Sequence, residues 1–272
     1  MKRTILISLL LPAICGYALA QYDAIGARSA AMGDASVPLT DTWSVFNNPA
    51  ALGFTDKVQL GLSYKNNFLI KELGQYSLGF AAPVKKVGVF GVAIDRFGYS
   101  EYSTNQFGVS YSRRFGKIFS LGAQMNLHWI HIGDIYGNKV TASGSISFLV
   151  KPIKNWIIAG HVYNITATPI SVDARDRINT LFRLGTSYTI AGKLLISIEG
   201  IASLQYDPAF KAGLEYKPIE LLAIRAGINT NPMGPTFGFG INYKKLLFDF
   251  AGKWHPVLGF SPIASLSYSF GK

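Results

Sequence analysis

The sequence predicts an all-β protein: a transmembrane antiparallel β-barrel of about 14 strands with a short N-terminal plug segment. Fourteen short stretches from residue 57 onward alternate apolar and polar residues, which is the side-chain period of a β-strand. Hydrophobic residues make up 49% of the chain and charged residues only 15%, whereas about a quarter of a soluble domain is charged. No internal apolar run reaches the roughly 18 residues of a spanning helix, so the membrane-spanning elements are expected to be strands.

The alternation sets the expected strands. In the last stretch, residues 264–270, every second side chain is apolar and each residue between is serine. Only about five residues remain for each connection once a tilted spanning strand has taken its roughly 9–11, and the longest gap, 164–179, is the candidate extracellular loop. The strand centres are expected at 58–64, 75–82, 88–95, 106–112, 120–130, 141–150, 156–163, 180–188, 194–205, 209–216, 222–229, 236–243, 246–254 and 263–270.

The chain divides into three parts. Residues 1–20 have the features of a signal peptide: Lys2 and Arg3, an apolar stretch, and small residues before a cut ahead of Gln21. Residues 21–56 show no period of two, and an alanine-rich stretch at 23–32 predicts a short helix. We interpret 21–56 as a plug of the barrel, with a loose periplasmic tail as the alternative, and 57–272 as the transmembrane barrel. The predicted location is the cell outer membrane of a Gram-negative bacterium.

The alternation also assigns charged side chains to the barrel interior, because a charge on the lipid face near the bilayer centre costs roughly 2–4 kcal/mol. One interpretation is a set of ion pairs that holds the plug, with Arg28 paired to an acid of the wall, for example Glu199 or Asp249. The other is a weakly basic passage that favours anions. The predicted lumen-facing charged residues are Lys65, Arg183, Glu199, Lys211, Glu215, Arg225, Asp249 and Lys253.

Two N-terminal motifs carry a family resemblance. The first reads Gly-Ala-Arg-Ser-Ala-Ala-Met-Gly-Asp-Ala over residues 26–35, and the second reads Asn-Pro-Ala-Ala-Leu over 48–52. Together they resemble the N-terminal signature of FadL-like outer-membrane barrels, and most closely the PorV/PorQ family associated with type IX secretion. The matching plug-motif residues are Gly26, Ala27, Arg28, Met32, Gly33, Asp34, Asn48, Pro49 and Ala50.

The resemblance implies a fourteen-stranded plugged barrel and a non-enzymatic role. The first functional hypothesis is an accessory of type IX protein secretion or surface attachment, with secretion-system proteins or secreted cargo as partners. The alternative is a FadL-like passive transporter of hydrophobic or anionic small molecules. The chain departs from the resembled family in its short loops and in Asp34, which stands where glycine is common.

Other site chemistry has little support in the sequence. The histidines at 128, 131, 161 and 255 are too dispersed for a metal motif, so no catalytic residue, metal or cofactor is expected. The net charge of +11 comes from basic residues spread over strand ends and turns. This pattern predicts contact with outer-membrane lipid head groups rather than with nucleic acid. Aromatic residues near strand ends predict interface belts, at Trp129, Trp156, Trp254, Tyr64, Tyr188 and Tyr243.

Overall fold

The computed structural model describes residues 23–133, 137–168, 178–204 and 207–271. The predicted signal peptide, residues 1–20, lies outside the described residues, and so do all four charged residues of the predicted extracellular loop, which fall within 169–177. Within the described ranges, no helix has both the length and the apolar character needed to cross a membrane.

Fourteen antiparallel strands form a closed barrel, which confirms the predicted fold class and strand count. In chain order, β1 to β14 are Gln59–Asn66, Gly74–Val84, Gly88–Gly98, Tyr102–Phe115, Phe119–Ile132, Gly137–Ile153, Trp156–Tyr163, Leu181–Ile190, Leu194–Ser203, Ala209–Ile219, Leu222–Thr230, Met233–Tyr243, Leu246–His255 and Gly259–Ser269. Each strand pairs with its neighbours in sequence, and β1 pairs with β14 to close the sheet. One strand, β7, has the bounds expected from the sequence, and most of the others extend a few residues beyond the predicted centres.

The two ends of the barrel differ in their connections. At the end where β1 begins and β14 ends, which we call the turn end, each connection has only two or three residues. At the opposite end, the loop end, the β1–β2 connection contains two 3-10 helices, Asn67–Leu69 and Lys71–Leu73, and the β7–β8 connection covers residues 164–180. The other loop-end connections are shorter, and three of them, 99–101, 231–232 and 256–258, have only two or three residues. Uniformly short turns at one end and some longer loops at the other are typical of outer-membrane barrels, where the turns face the periplasm.

The outer face of the barrel is apolar. Leu184 on β8 is 60% exposed and Phe210 on β10 is 66% exposed, whereas the intervening inward residues on both strands are buried. Such apolar exposure is expected where lipid replaces water. The predicted outward residues are exposed, apart from Ile196 and Phe250, which are half-buried: Leu121, Met125, Leu127, Phe182, Leu184, Ile198, Phe210, Leu214, Ile224, Ile228, Phe237, Phe239 and Phe248.

Residues 23–56, which we call the inner segment, lie inside the barrel. The segment contains α1 (Ala27–Ala31), α2 (Ser44–Asn47) and a 3-10 helix (Pro49–Phe54). Its apolar side chains, including Trp43 and Leu52, pack against small wall residues of β2 and β3. The segment is largely buried and contacts strands around the closed sheet, so it lies in the interior at this level.

Hydroxyl groups of the wall bind the backbone of the inner segment. Ser265 Oγ on β14 accepts from the Ala27 amide at 3.2 Å, and Ser147 Oγ on β6 accepts from the Ala50 amide at 2.9 Å. Ser197 Oγ on β9 donates to the Ala35 carbonyl at 2.8 Å. A short irregular segment cannot satisfy its own backbone groups, so the inward serines of the alternating strands provide the partners.

We expect Leu184→Arg to lower the free energy of unfolding in phosphatidylcholine vesicles by about 2–4 kcal/mol, because this exposed side chain lies near the middle of β8. The matched control is Tyr188→Arg on the same strand and face but close to the turn end, where the cost falls to about 0–1 kcal/mol. Guanidinium titration followed by tryptophan fluorescence measures both. Equal costs at the two positions would contradict the lipid-facing assignment.

Candidate functional site

The first group of contacts between the inner segment and the wall is a buried chain of four charged side chains. Arg28 Nε lies 2.8 Å from Glu215 Oε2 on β10, and Nη2 of the same guanidinium lies 2.9 Å from Glu215 Oε1. Glu215 Oε2 also accepts from Arg225 Nε at 2.7 Å, and Arg225 Nη1 reaches Asp249 Oδ1 at 2.7 Å. The chain therefore links α1 to strands β10, β11 and β13.

Arg28 is paired with Glu215, which is an acid of the wall as predicted, but not with either of the two examples, Glu199 and Asp249. Glu199 is occupied by Arg183, and the Asp249 oxygen that is hydrogen-bonded binds Arg225. Arg28 makes a second ion pair with Asp41 of the inner segment, at 3.1 Å. Burial works to lower the pKa of Arg28, but the carboxylates of Glu215 and Asp41 outweigh it and raise the pKa above its ordinary value.

The second group centres on the carboxylate of Glu199 on β9, which is fully buried. Its Oε2 accepts from the backbone amides of Ser36 and Val37 at 2.8 and 2.9 Å. Its Oε1 accepts from Arg183 at 2.8 Å, and Arg183 Nη1 donates to the Asn47 carbonyl at 3.0 Å. One ion pair of the wall thus binds the inner segment at two places along the chain.

The third group joins two wall lysines to two aspartates of the inner segment. Lys253 Nζ on β13 lies 2.7 Å from Asp23 and 2.6 Å from Asp34, and Lys65 on β1 also pairs with Asp23. Partial burial works to raise the pKa of Asp23, but the charges of Lys253 and Lys65 outweigh it and hold the pKa well below its ordinary range. Asp23 is therefore ionised at any physiological pH.

The plug-motif residues shape the inner segment. Gly26 has a φ of 95°, and a side chain there would collide with the indole of Trp43. Gly33 has a φ of 65° and lies against the backbone of β10 and β11. Asp34 also adopts positive φ, at 63°, a conformation that favours glycine. Its contact with Lys253 gives a physical reason for a carboxylate at this position.

Asparagines hold the second motif in place. Asn48 caps the 3-10 helix through an Oδ1 that accepts from the Ala50 amide at 3.1 Å, and its Nδ2 donates to the Val37 carbonyl at 2.7 Å. The adjacent Asn47 donates to the Ile25 carbonyl at 2.9 Å. These amide side chains tie the second motif back to the stretch that carries the first, so the two motifs form one folded unit.

Most of the predicted lumen-facing charged residues contact the inner segment in the structure. Lys211, also predicted, is buried on β10, where the charges of Asp34 and Glu199 act on it. Sequence reasoning missed Asp23, Asp41 and Asn47. Asn47 directly precedes the second motif, which is a usable signal, whereas the two aspartates lie outside both motifs. Among the described residues, no cluster of three His, Cys, Asp or Glu side chains is suited to a metal ion.

A cavity of about 590 Å³ opens above the inner segment at the loop end. Its floor is formed by Ile25 and Phe46 together with Asp23 of the third contact group, and Lys65 and Lys253 lie at the same level. About half of the lining residues are apolar or aromatic, and the rest are polar, among them Gln75, Asp95 and Gln106. The principal apolar side chains are Phe68, Leu73, Phe97, Tyr163 and Leu258. A cavity that combines apolar surface with convergent polar and charged groups is typical of a small-molecule site.

The architecture is similar to solved channel structures. The Pseudomonas putida toluene transporter TodX matches with a TM-score of 0.63 and 14% identity, over 93% of this chain and 98% of that chain. A Pseudomonas aeruginosa FadL homologue matches with a TM-score of 0.60 and 13% identity, over 94% and 99%. A deltaS2 mutant of the TodX monoaromatic hydrocarbon channel matches with a TM-score of 0.70 and 11% identity, over 92% and 99%.

The chain has the fold of the FadL-type channels. At sequence identities of 11–14%, this similarity establishes a shared fold only. No protein-family model and no curated protein sequence matches the chain. The FadL-like part of the sequence resemblance is therefore supported by the structure comparison.

We expect Arg28→Ala to lower the free energy of unfolding by about 3 kcal/mol, because it removes one partner of a buried ion pair. The matched control is Arg114→Ala, which removes an exposed pair between the wall and the inner segment, 4.0 Å from Asp56, and is expected to cost about 0–1 kcal/mol. Urea titration of the refolded proteins measures both values. Equal losses would show that the buried chain does not hold the inner segment.

Proposed function

We propose that the protein is an outer-membrane channel that admits hydrophobic small molecules through the loop-end cavity. The cavity above the inner segment carries this proposal, because it places aromatic and aliphatic side chains at the mouth of a closed barrel. TodX, a solved protein of the same fold, supports it: it is described as a toluene transporter and, in its deltaS2 mutant, as a monoaromatic hydrocarbon channel. The proposal places the alternative hypothesis of a FadL-like transporter ahead of the secretion accessory.

The chemistry of the cavity favours apolar molecules. Transfer of an apolar molecule from water into an apolar site gains roughly 25 cal/mol per Å² of buried apolar surface. Phe97 and Tyr163 offer flat faces for such contacts, and aromatic pairs add roughly 0.5–1.5 kcal/mol each. The floor lysines, Lys65 and Lys253, already pair with Asp23. A bound molecule therefore does not need a charge.

The inner segment makes the proposed channel selective. A barrel of this size has a bore that side chains of the wall do not fill by themselves. Here residues 23–56 occupy it, held by the three groups of buried charged contacts. Water and ions are excluded from a bore filled in this way, whereas an apolar solute is first captured in the cavity. Passage beyond the cavity then requires a path along, or a local movement of, the inner segment.

A second candidate function rests on the two N-terminal motifs, which resemble the PorV/PorQ signature. In this hypothesis the barrel binds secretion-system proteins or secreted cargo and transports no small molecule. Co-purification with secretion or attachment components would support it. Normal surface cargo in a strain that lacks the protein would count against it.

We expect Phe97→Ser to weaken the binding of N-phenyl-1-naphthylamine, an uncharged apolar probe, by about fivefold, because one aromatic contact worth about 1 kcal/mol is lost. Tryptophan-to-probe energy transfer in the amphipol-solubilised protein measures the affinity. Trp254, which lines the same cavity, is close enough to serve as the donor.

The matched control is Phe90→Ser on the same strand. Phe90 is exposed on the outer face beside Tyr111 and lies outside the cavity lining, so the probe affinity should stay at the wild-type value. If Phe97→Ser binds the probe as tightly as the wild type, or if both variants weaken binding equally, the cavity is not the binding site.

A further inference from the structure

A row of paired residues crosses the outer face of the barrel from Arg113 to Phe210. Arg113 pairs with Leu121, Leu121 with Phe148 and Phe148 with Gly160. The row continues from strand to strand through register partners as Leu184, Gly200 and Phe210. Because barrel strands tilt by about 35–45°, a row perpendicular to them climbs obliquely through the membrane.

The row forms a groove of about 930 Å³. Gly160 and Gly200 supply no side chains to its floor, and the ring of Phe148 lies over Gly160. Around them the groove is lined by exposed apolar side chains such as Leu184 and Phe210. Arg113 and Phe115 form the end of the groove near the barrel's turn end, and Arg113 lies over the Phe115 ring at 5.9 Å from its centroid.

The turn end around Arg113 is strongly basic. Its connections contain seven exposed lysines and one acid, Glu220. By sequence, the loop-end connections contain three basic and six acidic residues. Exposed aromatic residues, among them Trp156 and Tyr243, lie beside the turn end and mark the level of the lipid head groups. The seven lysines are Lys85, Lys86, Lys117, Lys154, Lys193, Lys244 and Lys245.

We propose that this groove binds one anionic phospholipid of the phosphatidylglycerol type from the leaflet at the turn end. The phosphate lies on Arg113, whose guanidinium donates to phosphate oxygens, and an acyl chain follows the row past Gly160 and Gly200. The basic turns raise the local concentration of anionic lipid. Arg113 at one end of the groove complements the anionic head group, and the apolar floor beyond it complements the acyl chain.

Substitution of Gly200 tests the lipid groove most directly. A side chain added at Gly200 would meet only the ring of Phe210, at 3.8 Å, which is an ordinary contact. Gly200→Leu is therefore compatible with the fold but fills the groove. Arg113→Gln removes the charge at the head of the groove. The matched control is Arg114→Gln, because Arg114 is the next residue but interacts with Phe54 and Asp56 of the inner segment.

The experiment is native mass spectrometry of the refolded full-length protein titrated with phosphatidylglycerol and, separately, with phosphatidylcholine. We expect one retained phosphatidylglycerol molecule, bound about fivefold more tightly than phosphatidylcholine, as one basic residue near the surface provides. Arg113→Gln should remove this preference, and Gly200→Leu should weaken retention of both lipids at least fivefold. Arg114→Gln should behave as the wild type. Heat-modified electrophoretic mobility confirms that each variant is folded.

The inference would be overturned by equal retention of the two lipids in the wild type, by full retention in folded Gly200→Leu, or by equal losses in the two arginine variants. It rests on the membrane location in the proposed function, and the two are distinguishable. A folded protein that retains neither lipid and stays out of phosphatidylcholine vesicles contradicts the membrane location, whereas one that inserts but shows no preference contradicts only the lipid site.

Discussion

The structure depends on the pairing of buried charges between the inner segment and the barrel wall. An ionised side chain inside a protein is destabilising unless an opposite charge and hydrogen bonds compensate it. Glu199, Glu215 and Asp249 are each at most 1% exposed, and each binds an arginine. Two of the three also bind the inner segment directly. The buried carboxylates of the wall need hydrogen-bond and ion-pair partners, and this need determines where the inner segment lies.

This dependence explains how a chain of 272 residues closes a fourteen-stranded barrel. The wall alone would enclose a polar, water-filled bore. Wall serines and carboxylates instead bind the backbone and side chains of residues 23–56, and Trp43, Val45 and Leu52 pack on small wall residues. The result is a barrel whose middle is occupied by the inner segment, with a partly apolar cavity at the loop end and a basic turn end. The proposed channel and the proposed lipid site use different faces of this one architecture.

The local pattern of the sequence predicts most of the fold. Alternation finds every strand, because one face meets an apolar surrounding and the other a polar one, and it places Arg183, Glu199 and Arg225 on the interior face, where they are buried. The partners of these charges are not predictable in the same way. Arg28 binds Glu215 because the docking of α1 brings them together, and no sequence spacing encodes that distance. The cavity residues come from strands far apart in sequence and share no motif.

Ion conductance across a planar bilayer tests the central claim most directly. If the inner segment fills the bore, the whole chain inserts without a steady current, and a chain without residues 21–56 produces a stable, voltage-independent pore. A steady open-pore current from the whole chain would contradict the account, as would a folded, inserted barrel that stays closed after the segment is removed.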